Sequence, residues 1–578
     1  GSDLMEIKEL YQQWIKNADA DPDLIAELKA IDGNEDEISD RFYTELEFGT
    51  AGLRGVIGAG TNRMNYYTVC RATQGLADFL NAHYDHPSCA IGYDSRIKSD
   101  YFSKEAAKTL AANGIKVYIF EELEPTPCLS YAIRKFGTQG GIILTASHNP
   151  AKYNGYKCYD YNGYQMTDEE AAETYEYIKK VDYFTGIKTM DFDDAVNQGM
   201  IEYMGQDVIE SFLDEVQKQC VNPGICEKAD LKVIYTPLNG TGNKPVRKIL
   251  NRIGVKDIYV VPEQENPDGN FPTCPYPNPE IRQAFELALK AAQKHNADIL
   301  LATDPDCDRV GIAVNDGSGN YELMSGNEVG AMLLHYLLSQ KKANGTLPEH
   351  AVAAKSFVST DLAEEIAKRF GCEFKNLLTG FKYIGELITK LEAQGRGGDF
   401  IMGFEESYGY LAGTHARDKD AVVGSMLICE MAAYYKAQGK TLLEVMNDIY
   451  SEYGYYCNTV KSYEFDGAAG MKKMQQIMDD LRKDPPKDLA GAKIIYTADY
   501  ESGTQKDLAA GTESKTELPK SNVLAYKAEG GSGLIVRPSG TEPKIKAYIT
   551  AIGANKDDAQ AKAEQLIAEA NAIMNTEA

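Results

Sequence analysis

Although it carries eleven cysteines, the 578-residue chain has no Cys-x-x-Cys pair. The cysteines fall at 70, 89, 128, 158, 220, 226, 274, 307, 372, 429 and 457, scattered and odd in number. That argues against a disulfide framework. With no signal-peptide pattern at the start, they read as reduced thiols, and the cytoplasm is the expected compartment. No apolar run reaches the ~18 residues that a membrane-spanning helix needs, so no membrane partner is expected. Positive charge is also short: 60 Lys and Arg face 86 Asp and Glu, for a net charge of −26. A nucleic-acid partner is disfavoured, because such binding relies on basic residues that neutralise phosphates. A small phosphorylated ligand stays open, since a local basic pocket can exist on an acidic protein. Oligomeric state is not legible.

What is present is a long alternation of helices and strands. At ~100–200 residues per domain, the length suits three to five domains. Residues 3–45 read as acidic helices, with Asp21-Pro22 as a helix start. Residues 48–60 place glycines and alanines around Arg54 and suggest a backbone that approaches something closely, with a flexible surface loop as the alternative. From 66 a helix is followed by strands at 88–93, 116–120 and 141–144, with a helix at 103–113 after the first. A second unit has strands at 231–236, 257–261 and 298–303, with helices at 244–253 and 279–295. A third has strands at 351–357, 373–378 and 400–402, with helices at 326–342, 361–371 and 381–394. Alternation of this kind implies parallel or mixed sheets with helices on their faces. It also implies a structural repeat of ~100–130 residues. Beyond a helix at 442–453 the pattern changes. Strands at 455–465, 493–497, 522–528, 533–536 and 545–552, with helices at 468–482 and 556–574, read as an α+β domain with an antiparallel sheet.

Each unit ends a strand in a polar loop. In open α/β sheets the carboxyl edge is where ligands bind. The first loop carries Ser147, a hydroxyl able to act as nucleophile or phosphate carrier if its neighbours activate it, with His148 and Lys157 close by. The second carries Asp304, Asp306 and Asp308. Three carboxylates so close repel one another unless a cation sits between them, and hard oxygen ligands suit Mg²⁺ or Ca²⁺. An EF-hand would need Gly at its sixth position and Glu at its twelfth. Here those are Arg309 and Asn315, so a compact Mg²⁺ site is expected instead. The third carries Glu405 and Ser407, an acceptor and a donor two residues apart that can grip vicinal hydroxyls. In the last domain Arg537, Ser539, Gly540 and Thr541 combine a planar fork, two hydroxyls and exposed amides, a suitable phosphate cradle.

In order and spacing, TASHNP at 145–150, NGYK at 154–157, DPDCDR at 304–309, EES at 405–407 and RPSGTEPK at 537–544 resemble the motifs of the α-D-phosphohexomutase superfamily, over essentially the whole chain. FGTAGLRG at 48–55 with GAGTNRMN at 58–65 is similar to its long phosphoglucomutase/phosphopentomutase branch, which also contains glucose-1,6-bisphosphate synthases. The resemblance implies a four-domain α/β fold around a central cleft. Three repeated mixed-sheet domains (1–205, 206–318 and 319–440) would precede a C-terminal α+β domain with an antiparallel sheet (441–578).

It further implies that Ser147 is phosphorylated, and that its phosphate and Asp304, Asp306 and Asp308 hold Mg²⁺. His148 and Lys157 would assist proton transfer, and Arg54 and Arg309 would offset phosphoryl charge. Glu405 and Ser407 would bind sugar hydroxyls. Arg537, Ser539, Gly540 and Thr541 would hold the phosphate that is not reacting, and Lys382 would help distinguish the two substrate orientations. The activity implied is interconversion of glucose 1-phosphate and glucose 6-phosphate, with glucose 1,6-bisphosphate as intermediate and activator and a small phosphosugar as the partner. Phosphopentomutase, glucose-1,6-bisphosphate synthase, phosphomannomutase and a non-catalytic sugar-phosphate sensor are the alternatives. Two departures bear on the sugar. Phe404 stands where many members have Gly, and Tyr408-Gly409-Tyr410 lacks the His of dual-specificity mannose/glucose enzymes.

Overall fold

The strand Gly140–Leu144, Gly-Gly-Ile-Ile-Leu, is buried along its whole length, as a strand covered on both faces must be. It is the third of six in a sheet ordered Gly52–Val56, Tyr153–Asp160, Gly140–Leu144, Ser88–Tyr93, Lys116–Phe120 and Ile201–Met204. The last four run parallel to one another. Tyr153–Asp160 returns antiparallel to Gly140–Leu144, pairing Lys157 with Ile143. The computed structural model describes residues 3–539 and 542–574, and within them the chain forms two compact units. One contains the chain up to Gly326 together with Phe381–Thr441. The other contains Asn327–Gly380 and the chain from Leu442 onward.

In the first unit the sequence pattern missed several elements. A helix, Thr126–Phe136, stands between Lys116–Phe120 and Gly140–Leu144. Parallel strands require such a crossover. Pro127 in its first turn and Gly137 at its C-cap (φ 64°) mark its ends. It lies directly on the sheet: a Cβ added to Gly141 would come within 2.3 Å of Ile133 Cδ1. The glycine-rich stretch around Arg54 is a strand rather than a loop, Gly52–Val56, paired antiparallel with Tyr153–Asp160. Residues 154–157 lie in that partner strand.

The second sheet of this unit is ordered Tyr321–Met324, Val310–Asn315, Ile299–Thr303, Lys232–Thr236 and Asp257–Val260. Its helix starts later than the sequence suggested. Asn278 accepts the Glu280 N–H at 3.0 Å, Ile281 is extended, and a turn at Arg282–Phe285 leads into Glu286–His295. The third strand end is longer than expected: Phe400–Glu405 runs through to Glu405 and pairs antiparallel with Gly409–Leu411. Three strands thus end in a short loop and an antiparallel return, and each loop holds a residue other than glycine in the left-handed region: Ser147 (φ 53°), Cys307 (φ 53°) and Tyr408 (φ 73°).

Before the first sheet stand Leu4–Asn17, Pro22–Ala30 and Glu35–Phe42. Asp21 caps the second of these, with Pro22 in its first turn. Trp14 anchors them, its ring 5.8 Å from Phe42 and 5.4 Å from Tyr67.

In the second unit Val352–Ser356 pairs parallel with Glu373–Leu377. An antiparallel sheet follows in the order Tyr455–Glu464, Lys544–Gly553, Gly533–Pro538, Leu524–Ala528, Ala492–Asp499, Thr504–Asp507 and Thr512–Lys515. Met474, Ile477, Met478 and Leu481 of Gly467–Lys483 and Ala563, Leu566 and Ala570 of Lys556–Ile573 close its core. Among the described residues no helix is long and apolar enough to cross a membrane.

The chain has one tryptophan, so the anchor reports on itself. Phe42→Ala should cost about 3–5 kcal/mol by emptying a buried aromatic site. It should bring the urea transition of Trp14 fluorescence to lower denaturant. An unchanged transition would contradict this packing.

Candidate active site

The three return loops of the first unit bring most of the expected residues together. Ser147 follows Gly140–Leu144, and its Oγ donates to Asp304 Oδ2 at 3.2 Å. Asp304, Asp306 and Asp308 follow Ile299–Thr303 and are at most 1% exposed. One oxygen from each lies within 4.8 Å of the others. Backbone pins the first: Asp304 Oδ1 accepts the N–H groups of Asp308 and Arg309, both at 3.1 Å. Thr126 Oγ1 donates to Asp306 Oδ2 at 2.7 Å. Asp306 Oδ1 and both oxygens of Asp308 are buried and have no hydrogen-bond partner among the described residues.

Electrostatics sharpen the point. Burial, then the charges of Asp308 and Asp306, push Asp304 well above the usual carboxylate range. Burial and Asp308 raise Asp306 to about 6. Burial acts the same way on Asp308, but Lys419, Lys157 and Arg309 outweigh it and hold that group below its ordinary value. Buried carboxyl oxygens left unpaired and mutually repelling are the donor set that a hard cation satisfies. Asp304, Asp306 and Asp308 therefore fit Mg²⁺.

Cations ring this set. Lys157 Nζ lies 3.9 Å from Asp306 Oδ2. Lys419 Nζ lies 3.6 Å from Asp308 Oδ2 and 3.5 Å from Asp418 Oδ1. Arg309 Nη1 lies 3.5 Å from Glu280, and Asp308 and Glu280 keep its guanidinium charged despite burial. His148 Nδ1 is 3.3 Å from Ser147 Oγ. Desolvation and the nearby Arg309, Arg96 and Arg54 hold its imidazole well below the ordinary histidine value, so it is neutral at pH 7. Arg54, exposed on its edge strand, donates to Asn149 Oδ1 at 3.2 Å. The buried Glu405 contributes negative charge to both Arg309 and Lys419. Ser407 sits in the turn that joins Phe400–Glu405 to Gly409–Leu411.

Lys382 stands apart. It opens the helix Lys382–Ala393, and its ammonium is paired with Asp168 Oδ1 at 2.7 Å. The neighbouring Phe381 ring does reach the site, 5.7 Å from Lys419 Nζ. Arg537 and Ser539 belong to the second unit. There Arg537 Nη2 donates to the Tyr548 hydroxyl at 3.1 Å, its Nε is buried without a hydrogen-bond partner among the described residues, and Ser539 Oγ accepts the Glu542 N–H at 3.2 Å. Gly540 and Thr541 lie outside the described residues.

Sequence reasoning missed Lys419, Thr126, Asp94 and Arg96. Lys419 had a signal: His415-Ala-Arg-Asp-Lys-Asp420 is a polar run between the buried strand Gly409–Leu411 and the buried helix Ala421–Lys436. Asp94-Ser95-Arg96 directly follows the strand read at 88–93 and carries no local sign of a role.

Three family models match: phosphoglucomutase/phosphomannomutase α/β/α domains I, II and III, at residues 45–184, 210–317 and 325–453. The chain belongs to the phosphoglucomutase/phosphomannomutase family, within the α-D-phosphohexomutase superfamily. A phosphoglucomutase of Staphylococcus saprophyticus is 37% identical over 524 residues, covering 91% of this chain and 94% of the relative. One from Staphylococcus aureus is 36% identical over 529 residues, covering 91% and 93%. Among solved structures, the open form of the Paramecium phosphoprotein pp63/parafusin superposes with a TM-score of 0.69 at 18% identity, over 92% of this chain and 96% of that one. A phosphoglucomutase/phosphomannomutase family protein of Burkholderia thailandensis gives 0.65 at 17%, over 92% and 98%. These likenesses show the fold: four α/β domains, three with mixed sheets and a fourth with an antiparallel sheet.

Thr126 orients the Asp306 carboxylate through Oδ2 and would stand outside the ligand shell of a cation held there. Outer partners of this kind are worth about 10–100-fold in metal affinity. Thr126→Val should therefore raise the Mg²⁺ concentration for half-maximal activity by about that factor. An unchanged Mg²⁺ requirement would remove Thr126 from the site.

Proposed function

We propose that this chain is a phosphoglucomutase, interconverting glucose 1-phosphate and glucose 6-phosphate through a phosphorylated Ser147. The observation that carries the reading is Ser147 Oγ at 3.2 Å from the buried Asp304 carboxylate, in a chain 36–37% identical to proteins named phosphoglucomutase. Asp304, Asp306 and Asp308, with the Ser147 phosphate, would hold Mg²⁺. When bound, Mg²⁺ offsets negative charge on the transferring phosphoryl group, the main source of catalysis in such reactions.

The chain's own residues supply the rest. The bond from Ser147 Oγ to phosphorus breaks as one forms to a hydroxyl of the sugar phosphate, giving glucose 1,6-bisphosphate. The Lys157 ammonium, 3.9 Å from Asp306 Oδ2, delivers the proton that this oxygen regains. His148, neutral, takes the proton of the attacking hydroxyl, and Arg54 and Arg309 balance charge on the moving group. Glu405 and Ser407 hold sugar hydroxyls. Arg537, Ser539, Gly540 and Thr541 hold the distant phosphate, and Lys382 helps accept either orientation. The bisphosphate then turns, so that its other phosphate is returned to Ser147. Glucose 1,6-bisphosphate also serves as activator, since it rephosphorylates a dephosphorylated Ser147. Eleven unpaired cysteines support a reducing compartment, the cytoplasm.

A coupled assay across glucose, mannose, glucosamine, ribose and deoxyribose 1-phosphates tests the substrate. Glucose 1-phosphate should give the highest kcat/KM; a higher value for ribose 1-phosphate would make the enzyme a phosphopentomutase. Ser147→Ala should lower kcat by about 10³-fold or more, the scale of losing a nucleophile. Ordinary turnover by that variant would overturn the mechanism.

A further inference from the structure

We propose that Arg96 is the positioning residue of the phosphoryl carrier: with Asp94 it locks Ser147 into its left-handed backbone and so aims the hydroxyl at the carboxylate set. This rests on the reading of Ser147 given above.

Both side chains are wholly buried, and Arg96 Nε lies 3.6 Å from Asp94 Oδ2. The guanidinium is spent on one loop. Nη2 donates to the carbonyls of Ser147 at 2.5 Å and Asn149 at 2.6 Å, and Nη1 to those of Pro150 at 3.1 Å and Tyr153 at 3.2 Å. The Phe271 ring covers its face, with the centroid 5.1 Å from Cζ. Asp94 serves the other side of the same residue. Its Oδ2 accepts Thr145 Oγ1 at 2.6 Å, and Thr145 Oγ1 in turn accepts the Ser147 N–H at 2.9 Å. Asp94 Oδ1 accepts the Arg96 N–H at 3.0 Å and Ser99 Oγ at 2.8 Å, which fixes the carboxylate. Both backbone polar groups of Ser147 therefore lead to the Asp94–Arg96 pair.

A left-handed backbone is unfavourable for serine and persists only where its surroundings over-determine it. Four carbonyls on one rigid fork supply that determination. A lysine ammonium, a point charge with three donors, cannot reproduce the planar arrangement. Relaxing φ at Ser147 swings Oγ away from Asp304, and a misplacement of about 1 Å in a reacting group costs about 100-fold in rate.

The test uses full-length wild type, Arg96→Lys and Thr145→Val, each loaded with glucose 1,6-bisphosphate. Phosphoserine content is read by intact mass, and kcat is expressed per phosphorylated molecule. That normalisation removes any loss due only to folding. Arg96→Lys should lower this kcat about 100-fold, with KM for glucose 1-phosphate within about threefold of wild type, because its loss falls on the transferring group rather than on sugar binding. Thr145→Val keeps shape and cuts only the link from Asp94 to the Ser147 N–H. It should lower kcat about tenfold, again at constant KM, and it carries the test if Arg96→Lys does not fold. Wild-type kcat per phosphorylated molecule in the folded variants, or a loss confined to KM, would overturn the positioning role alone. Absence of mutase turnover in the wild type would overturn the functional reading and this inference with it.

Discussion

Mutual repulsion among Asp304, Asp306 and Asp308 is the constraint on which the rest of the site depends. Three carboxylates within reach of one point, at most 1% exposed, are costly to bury as bare charges, at several kcal/mol per ion. The protein meets that cost in layers. Backbone N–H groups hold Asp304, the Thr126 hydroxyl holds Asp306, and Lys157, Lys419 and Arg309 surround the set. Three carboxyl oxygens remain without a hydrogen bond among the described residues, and those are the ones a cation would take. The same excess of negative charge keeps Lys419 and Arg309 protonated. Phosphoryl transfer asks for such an arrangement: fixed charges in place before the reaction, and no solvent to reorganise during it.

One backbone device delivers these groups. A strand ends, the chain makes a short loop, and an antiparallel strand returns beside it: Gly140–Leu144 to Tyr153–Asp160, Ile299–Thr303 to Val310–Asn315, Phe400–Glu405 to Gly409–Leu411. Each loop bends through a left-handed residue that is not glycine. Strain at three equivalent places, each within two residues of a side chain with assigned chemistry, points to geometry kept for function at some expense in stability. The close fit shows at Gly155, where an added Cβ would come within 2.4 Å of the Thr145 carbonyl. The returning strand is thus pressed against the start of the Ser147 loop.

Much of this was legible because strand ends carry chemistry in α/β sheets. Ser147, the aspartate triad, Arg309 and Glu405 all sit at carboxyl ends of strands that β-branched and apolar runs had marked. Residues that act at long range were not legible. Lys419 lies 111 positions after Asp308, and Thr126 lies 180 before Asp306; no local pattern links them. Arg96 comes soon after the strand read at 88–93, but nothing in a linear reading says that its guanidinium will wrap a loop some fifty residues ahead. Nothing local marks the stretch around Arg54 as a strand, because glycine is poor in strands. It is tolerated here at Gly52, where a Cβ would come within 2.1 Å of the Tyr156 carbonyl on the paired strand. The helix Thr126–Phe136 was missed because Pro125 and Pro127 suggest a turn, although proline suits a first helical turn well.

The most direct test of the central claim is to follow the phosphoryl group itself. Enzyme turning over glucose 1-phosphate labelled in its phosphate would be quenched on the millisecond scale, digested, and its phosphopeptides sequenced. The account predicts label on the peptide containing Ser147, appearing at least as fast as glucose 6-phosphate forms. Label on another residue, or product formed with no labelled protein, would contradict it.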